Sequence, residues 1–366
     1  LSSTQGNPWD GLLGDGRFGS TASLSSDGTR MIVSQPMQFG EGAYGGGGVA
    51  NTGFVEVYDW DGTTWSQVGE RILPQNRGEA FGAGWNFEGL GDNLKISGDG
   101  STIAIGVPSF DNDEGTNYDG YVVVYRLIGG IWTRLAGVTQ TPIVQGGSSA
   151  ITGELYAPLG SNGWWGCAIA LSDDGNRIVI TQPGYVSGVY ARGSFIVYDW
   201  NGSNWVQVGT EVQGPRVDDL TGSRWGDGGS IHSNGWFGKS VDMSADGSTI
   251  VIGADDNYVH KGAGSYEFVF GIIGNPHTSA ISGRDSQGRV IVYEYDGSDW
   301  VKKGSQIVGI EDNDRFGSVV RISDDGTRIG AVSPGRGSTA RGGVRIFDWN
   351  GSDWVSAGTE ILFYGN

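Results

Sequence analysis

The chain has 366 residues, a net charge of -18 and 68 glycines, with 14 tryptophans, 14 tyrosines and 13 phenylalanines. Its acidity argues against the basic face that nucleic-acid binding requires, and no apolar run approaches the ~18 residues of a membrane-spanning helix. The aromatic content excludes a disordered glycine-rich tract and fits a turn-dense β protein.

In chain order the sequence states one pattern five times. Each unit opens on an aromatic or Leu followed by Gly: Phe18-Gly19, Leu90-Gly91, Trp165-Gly166, Phe237-Gly238 and Phe316-Gly317. Strand A follows, with one apolar parity (Ala22/Leu24, Leu94/Ile96, Ile169/Leu171, Val241/Met243, Val320/Ile322) and one mixed parity. Period-two alternation of this kind is a strand signature. Nine residues from each opening aromatic or Leu stands the Asp of an Asp-Gly turn: Asp27, Asp99, Asp174, Asp246 and Asp325. Strand B is the apolar run after that turn, such as Thr102-Ile103-Ala104-Ile105. Strand C ends near Tyr58, Tyr125, Tyr198, Tyr293 or Phe347. Strand D starts seven residues on, at Trp65, Trp132, Trp205, Trp300 or Trp354, and runs through a Gly to an aliphatic, as from Trp65 to Ile72.

A repeat of 72 to 79 residues is too long for a helical solenoid and suits a four-stranded sheet. Five such sheets predict a five-bladed all-β propeller of four-stranded antiparallel blades, one domain over 1–366. The repeats fall at 17–84, 85–160, 161–232, 233–312 and 313–366. A fifth unit that ends with its own strand D near Ile361 predicts a ring closed without strand exchange, with an open array or a fragment of a larger ring as the alternative.

Loop lengths place the function. A–B and C–D connections barely vary, whereas the Asp-Gly Asp lies 31, 26, 24, 47 and 22 residues from the strand C aromatic. From Trp to the next opening pair the spacing is 25, 33, 32 and 16. B–C and D–A connections share one end of an up-and-down sheet, so the variation gathers on one face, the expected binding face. That face collects Trp85, Tyr118, Tyr185, Tyr190, Trp225, Tyr258, Tyr266 and Phe268 as candidate ligand contacts. Exposed Trp and Tyr stack on sugar rings or anchor a protein. Trp164 and Trp236, beside the opening pairs, read instead as caps on the core. The long excursion of repeat four carries the apolar stretch Tyr266–Ile273, which offers either local core or self-assembly through the 254–288 loop.

Cys167 is the sole cysteine and follows Trp165-Gly166, the position of a small buried hydrophobe. Residues 1–10 are polar and carry no signal peptide, so a mature or trimmed product is expected. Asn201-Gly202-Ser203 and Asn350-Gly351-Ser352 are glycosylation sequons at Asn201 and Asn350. Both lie on the C–D turn, where Asn-Gly also reads as a type I′ hairpin pair and turn chemistry alone explains it.

The opening pairs, the Ser-x-Asp-Gly turns and the Val57-Tyr58-x-Trp60-x-Gly62-x-x-Trp65 strand pair resemble the FG-GAP repeats of the integrin α-subunit propeller. They are more closely similar to marine algal, bacterial and viral repeat proteins built on the same turn and strand pair. The resemblance runs from Phe18 to Ile361 and implies a secreted or surface-displayed module for adhesion, ligand binding or scaffolding. It also implies calcium in an Asp-rich loop of the form D-x-D/N-x-D-G-x-x-D. The nearest stretch here is Asp111 to Asp119, with Asp111, Asp113 and Asp119 as candidate Ca2+ ligands, although Glu114 breaks the order. Asp255-Asp256-Asn257 and Asp312-Asn313-Asp314 are weaker acidic groups.

Catalysis finds little support. Propeller glycosidases need two carboxylates at a fixed separation. The acids available near the axis, Asp92, Asp255, Asp256 and Asp242, form no acid–base pair in the pattern, and Asp242 reads as paired with Lys95 or Arg321. His232, His260 and His277 match neither triad nor zinc spacing. The expectation is therefore a binding module for a glycan or an extracellular protein, not an enzyme. A structural subunit of a fibre, sheath or virion surface is the alternative.

Overall fold

A computed structural model describes residues 18–35, 54–73, 93–108, 120–135, 154–156, 164–183, 193–215, 236–255, 287–310, 314–334 and 342–363. Among these residues there is no helix, and the strands form five antiparallel sheets in chain order. Blade one is β1 (Ala22–Leu24), β2 (Arg30–Gln35), β3 (Phe54–Trp60) and β4 (Trp65–Gln67). Blade two is β5 (Leu94–Ile96), β6 (Thr102–Val107), β7 (Tyr121–Ile128) and β8 (Ile131–Arg134), with β9 (Glu154–Tyr156) paired to the start of β7. Blade three is β10 (Ile169–Leu171), β11 (Arg177–Gln182), β12 (Ser194–Trp200) and β13 (Trp205–Gln213). Blade four is β14 (Phe237–Met243), β15 (Thr249–Ala254), β16 (Arg289–Tyr295) and β17 (Trp300–Lys302), with β18 (Ile307–Val308) on β16. Blade five is β19 (Val319–Ile322), β20 (Arg328–Ser333), β21 (Gly343–Trp349) and β22 (Trp354–Ser356), with β23 (Ile361–Leu362) on β21. The protein is a β-propeller of five blades, and no helix among the described residues is long and apolar enough to cross a membrane.

The fourth strand differs from the sequence expectation. It is usually broken: β4 stops at Gln67 and Ile72 rejoins the sheet through a bridge to Val55. Gly69, Gly304 and Gly358 interrupt the strand with φ of +72°, +76° and +100°, a region where side chains clash. Only β13 runs through, absorbing its irregularity as a register shift.

The core lies between blades. Strand B of blade two is buried along its length, with Ile103 and Ile105 facing back and Ala104 facing forward. The backward face packs with Ile32, Val55 and Val57 of blade one, and the forward face packs on Ile178 and Ile180 of blade three. The same forward-on-backward contact recurs between blades three and four and between four and five. Fully burying such a side chain contributes ~1.5–3 kcal/mol, so these interfaces hold the propeller together. Among the described residues no buried cluster spans blades five and one, the contact that would close the ring.

The first strands gather at the centre. Burial raises the affinity of the Asp242 carboxyl for its proton, and the charges of Lys95 and Arg321 oppose that shift from blades two and five. The Ile322 N–H of blade five donates to the Asp242 carboxylate (3.0 Å).

Candidate binding site at the loop end of blades three to five

Each blade has a turn end and a loop end, and they are built differently. At the turn end the Ser-x-Asp-Gly unit satisfies itself. The Ser25 hydroxyl donates to Asp27 (2.7 Å), and Asp27 accepts the Thr29 N–H (2.9 Å). Only the glycine, Gly28, takes a positive φ (+70°). The same contacts recur around Asp99, Asp174, Asp246 and Asp325. At the C–D tips, Asn201 and Asn350 accept the Ser203 and Ser352 N–H groups (both 2.9 Å), as Asp61 and Asp296 do in their blades. Gly202 and Gly351 alone are left-handed there, which makes the first central residue the glycine of a II′-like turn and not the I′ pair that Asn-Gly suggested.

At the loop end the repeat carries strain. Trp165, Phe237 and Phe316 are fully buried, and the residue before each is left-handed without being glycine: Trp164 (φ 57°), Trp236 (43°) and Arg315 (51°). Such a backbone costs ~1–3 kcal/mol per residue, and it concentrates at functional sites. It brings three large side chains to one place. The rings of Trp164 and Trp236 stack with centroids 5.2 Å apart and planes at 25°. Both rings are half-buried and stack on each other beside the buried opening aromatics.

Beside that pair lies a charge cluster. Lys239 Nζ sits 6.0 Å from the Trp236 ring and 2.5 Å from Asp255 Oδ2, which also accepts from Arg315 Nη2 (3.1 Å). Asp255 is wholly buried, and among the described residues its other oxygen has no hydrogen-bond partner; nor have Trp236 Nε1 and Arg315 Nε. The single Asp255 carboxylate thus serves two cations, Lys239 and Arg315. Cys167 occupies in blade three the position of Lys239 in blade four; burial pushes its thiol up to about 12, with Asp255 adding to the shift and Lys239 opposing it. It is the buried hydrophobe expected.

The sequence held a signal for this cluster. Strand B is followed by Pro36, Pro108, Pro183 and Pro334 in four repeats and by Asp255 in the fourth in order. The chain replaces a rigid turn residue with a carboxylate at the one blade whose next loop is longest.

The other candidate positions distribute as follows. Trp85, Tyr118, Tyr185, Tyr190, Trp225, Tyr258, Tyr266 and Phe268 lie outside the described residues, as do Asp111, Asp113 and Asp119, Asp92 and Asp256, the three histidines, and nearly all of the 254–288 loop. Among the described residues no group of three or more acidic, His or Cys side chains is arranged to hold a metal ion. Asp242 and Asp255 share blade four but stand at opposite reaches of its sheet. Asp242 pairs with Val251, four residues before Asp255, or about 13 Å along the strand. That exceeds the ~5–9.5 Å of glycosidase carboxylate pairs.

No family model matches the chain, and no curated protein matches it. Solved structures similar to it are β-propellers: the Dos1 propeller at 13% identity and TM-score 0.41, covering 94% of this chain and 64% of that one. The β-propeller domain of the trilobed protease from Pyrococcus furiosus is similar at 11% identity and TM-score 0.42, covering 92% and 70%. The tricorn protease is similar at 10% identity and TM-score 0.39, covering 94% and 27%. The chain thus spans less than two thirds of the Dos1 propeller, and likeness at this level carries nothing about activity.

Proposed function

We propose that this propeller is a binding module displayed outside the cell, and that a glycan docks at the loop end of blades three to five. The observation that carries the reading is the left-handed, stacked Trp164–Trp236 pair set against the Lys239–Asp255–Arg315 cluster. A half-buried aromatic pair beside the partly exposed Arg315 guanidinium is chemistry a sugar meets: ring surface for its C–H groups and a donor for its hydroxyls. The strain in Trp164, Trp236 and Arg315 has no folding purpose at positions where glycine would serve, which favours a functional one. A Ca2+ ion at Asp111, Asp113 and Asp119 would be a second element of the same loop-bearing face.

A glycan array, run in calcium and again in EDTA with wild type, Trp236→Ala and Asp111→Asn, tests the reading. Binding that Trp236→Ala abolishes supports it, and EDTA sensitivity shared with Asp111→Asn supports the metal. Glycan binding indifferent to Trp236→Ala moves the site elsewhere. No glycan binding in either condition replaces the ligand class with a protein.

A further inference from the structure

Four of the C–D tips are one turn, written with aspartate in blades one and four and with asparagine in blades three and five. In each, one side-chain oxygen gathers three donors. Asn201 Oδ1 accepts the Ser203 N–H (2.9 Å), the Ser203 hydroxyl (3.0 Å) and the Asn204 N–H (2.9 Å). Asn350 Oδ1 accepts the Ser352 N–H, the Ser352 hydroxyl and the Asp353 N–H, each at 2.9 Å. Asp61 and Asp296 take the same three donors, with the hydroxyl closer, at 2.7 Å in both. Bonds to a charged acceptor are shorter and stronger, so the turn favours a negatively charged oxygen over a neutral one. Those donors, the Thr63 hydroxyl foremost in blade one and the Asp299 N–H in blade four, hold both carboxyls below the usual carboxylate range.

An asparagine followed by glycine carries its own nucleophile, the glycine amide nitrogen. Asn201, Gly202 and Ser203 are exposed, as are Asn350, Gly351 and Ser352. Among the described residues the Gly202 and Gly351 N–H groups make no hydrogen bond, and neither do the Asn201 and Asn350 Nδ2 groups. No side chain crowds the nitrogen, and the space where a Cβ would stand is open to 4 Å. A side-chain oxygen bonded to the N–H two residues on lies across the intervening glycine amide, which brings the reacting atoms together. Attack of Gly202 N on Asn201 Cγ forms an N–C bond and places negative charge on Oδ1. That is the atom on which three donors already converge, at the distances of an oxyanion hole. The amide proton passes to water, Nδ2 takes a proton from water and leaves as ammonia, and a five-membered succinimide remains. Water then opens the ring, giving aspartate if the new N–C bond breaks and isoaspartate if the main-chain bond does.

We propose that the tips of blades three and five are self-modifying sites, at which the turn's own donors promote conversion of Asn201 and Asn350 to aspartate with water as the only co-reactant. The product is one the fold already accommodates, because Asp61 and Asp296 make the same bonds in blades one and four. Aspartate at both positions completes a set of four like tips. Isoaspartate lengthens the main chain by one carbon between Trp200 and Trp205, or between Trp349 and Trp354, and so disturbs the pairing that the turn closes. In the folded chain the succinimide therefore opens toward aspartate. Each conversion adds one negative charge at the turn end, taking the net charge from -18 to -20 once both sites have reacted.

The test holds the full chain at mildly alkaline pH, folded in one sample and unfolded in guanidinium in another, and follows ammonia loss by peptide mapping and mass spectrometry. Mapping reads Asn201 and Asn350 separately from the Asn-Gly pairs at Asn162 and Asn234. Loss at Asn201 and Asn350 should be about tenfold faster in the folded chain than in the unfolded one, with aspartate as the main product. Ser203→Ala removes the hydroxyl donor and keeps both N–H donors, so it should slow Asn201 roughly fivefold and leave Asn350 unchanged. The unchanged Asn350 rate is the sign that the variant has folded, and Ser352→Ala should give the mirror result. Loss that is no faster folded than unfolded means that the turn shields the amide and overturns the proposal. A wild-type rate at Asn201 in folded Ser203→Ala overturns it equally.

Discussion

The turn end and the loop end of these blades are made from the same repeat but obey different rules. At the turn end each Asp accepts bonds from its own turn, only glycine is left-handed, and neighbouring turns bond in series. At the loop end of blades three to five, bulky residues hold the left-handed backbone, and buried polar atoms lack partners. Where the repeat is kept, local chemistry and fold agree. Where it is broken, at Asp255, Lys239 and the residues before the opening aromatics, the chain carries a buried ion pair and a left-handed backbone, the observations on which the proposed site rests.

The largest effect should come from the charge cluster. Asp255→Ala leaves Lys239 facing a buried site without its counter-ion and should cost ~3–5 kcal/mol in denaturant unfolding. The double variant with Lys239→Ala should cost less than the sum of the two singles, because each loses the same interaction; strict additivity would mean the pair is not coupled. At the turn end, Gly175→Ala forces a side chain into a left-handed backbone and against Thr102, 2.4 Å away, and should cost more than the ~1–2 kcal/mol of the backbone strain alone. Gly28→Ala, with the same backbone and open space, should cost only that strain. Equal losses would mean the blade-one turn is covered after all.

Strain at the loop end is tested by a pair of substitutions at one residue. Trp164→Gly should be more stable than Trp164→Ala by about 1 kcal/mol, because glycine takes φ 57° freely. A gap of the opposite sign would remove the strain argument. The smallest effect is in pH. Thr29 and Ser25 hold Asp27 below the usual carboxylate range, and Ser323 and Thr327 bring Asp325 down to about 2. Groups with depressed folded values contribute stability that is present above their unfolded value and lost as pH falls through the folded one. Urea midpoints should therefore decline from about pH 4 down toward pH 2. Asp242 works the other way: its raised value, caused by burial and opposed by Lys95 and Arg321, favours the fold below the unfolded value and loses that contribution as pH rises. Asp242→Asn removes that opposing contribution and should widen the margin by which neutral midpoints exceed acid ones.

Blade count, strand order and the turn end were legible in the sequence because alternation and Asp-Gly chemistry are local. The apolar parity of strand A, Leu94/Ile96 or Val241/Met243, does face the preceding blade, and the mixed parity does gather Lys95, Asp242 and Arg321 at the centre. The broken fourth strand was less legible, since a Gly inside an aliphatic run reads as a weak strand until its φ is known. The loop-end cluster was missed as a unit. Lys239, Asp255 and Arg315 come from three separate segments, and only their arrangement by packed blades brings them to one carboxylate. Asp255 was visible as an acid, but its meaning lay in the Pro it replaces.

The most direct test of a binding loop end follows the indole N–H resonances of the tryptophans while an acidic and a neutral oligosaccharide are titrated in turn. Trp132, Trp300 and Trp354 are tied to carbonyls of the neighbouring blade, whereas Trp236 Nε1 has no partner among the described residues. The account predicts that the Trp164 and Trp236 signals move with one of the sugars while the three tied indoles stay in place. Shifts confined to the tied indoles, with Trp164 and Trp236 unmoved, would contradict it.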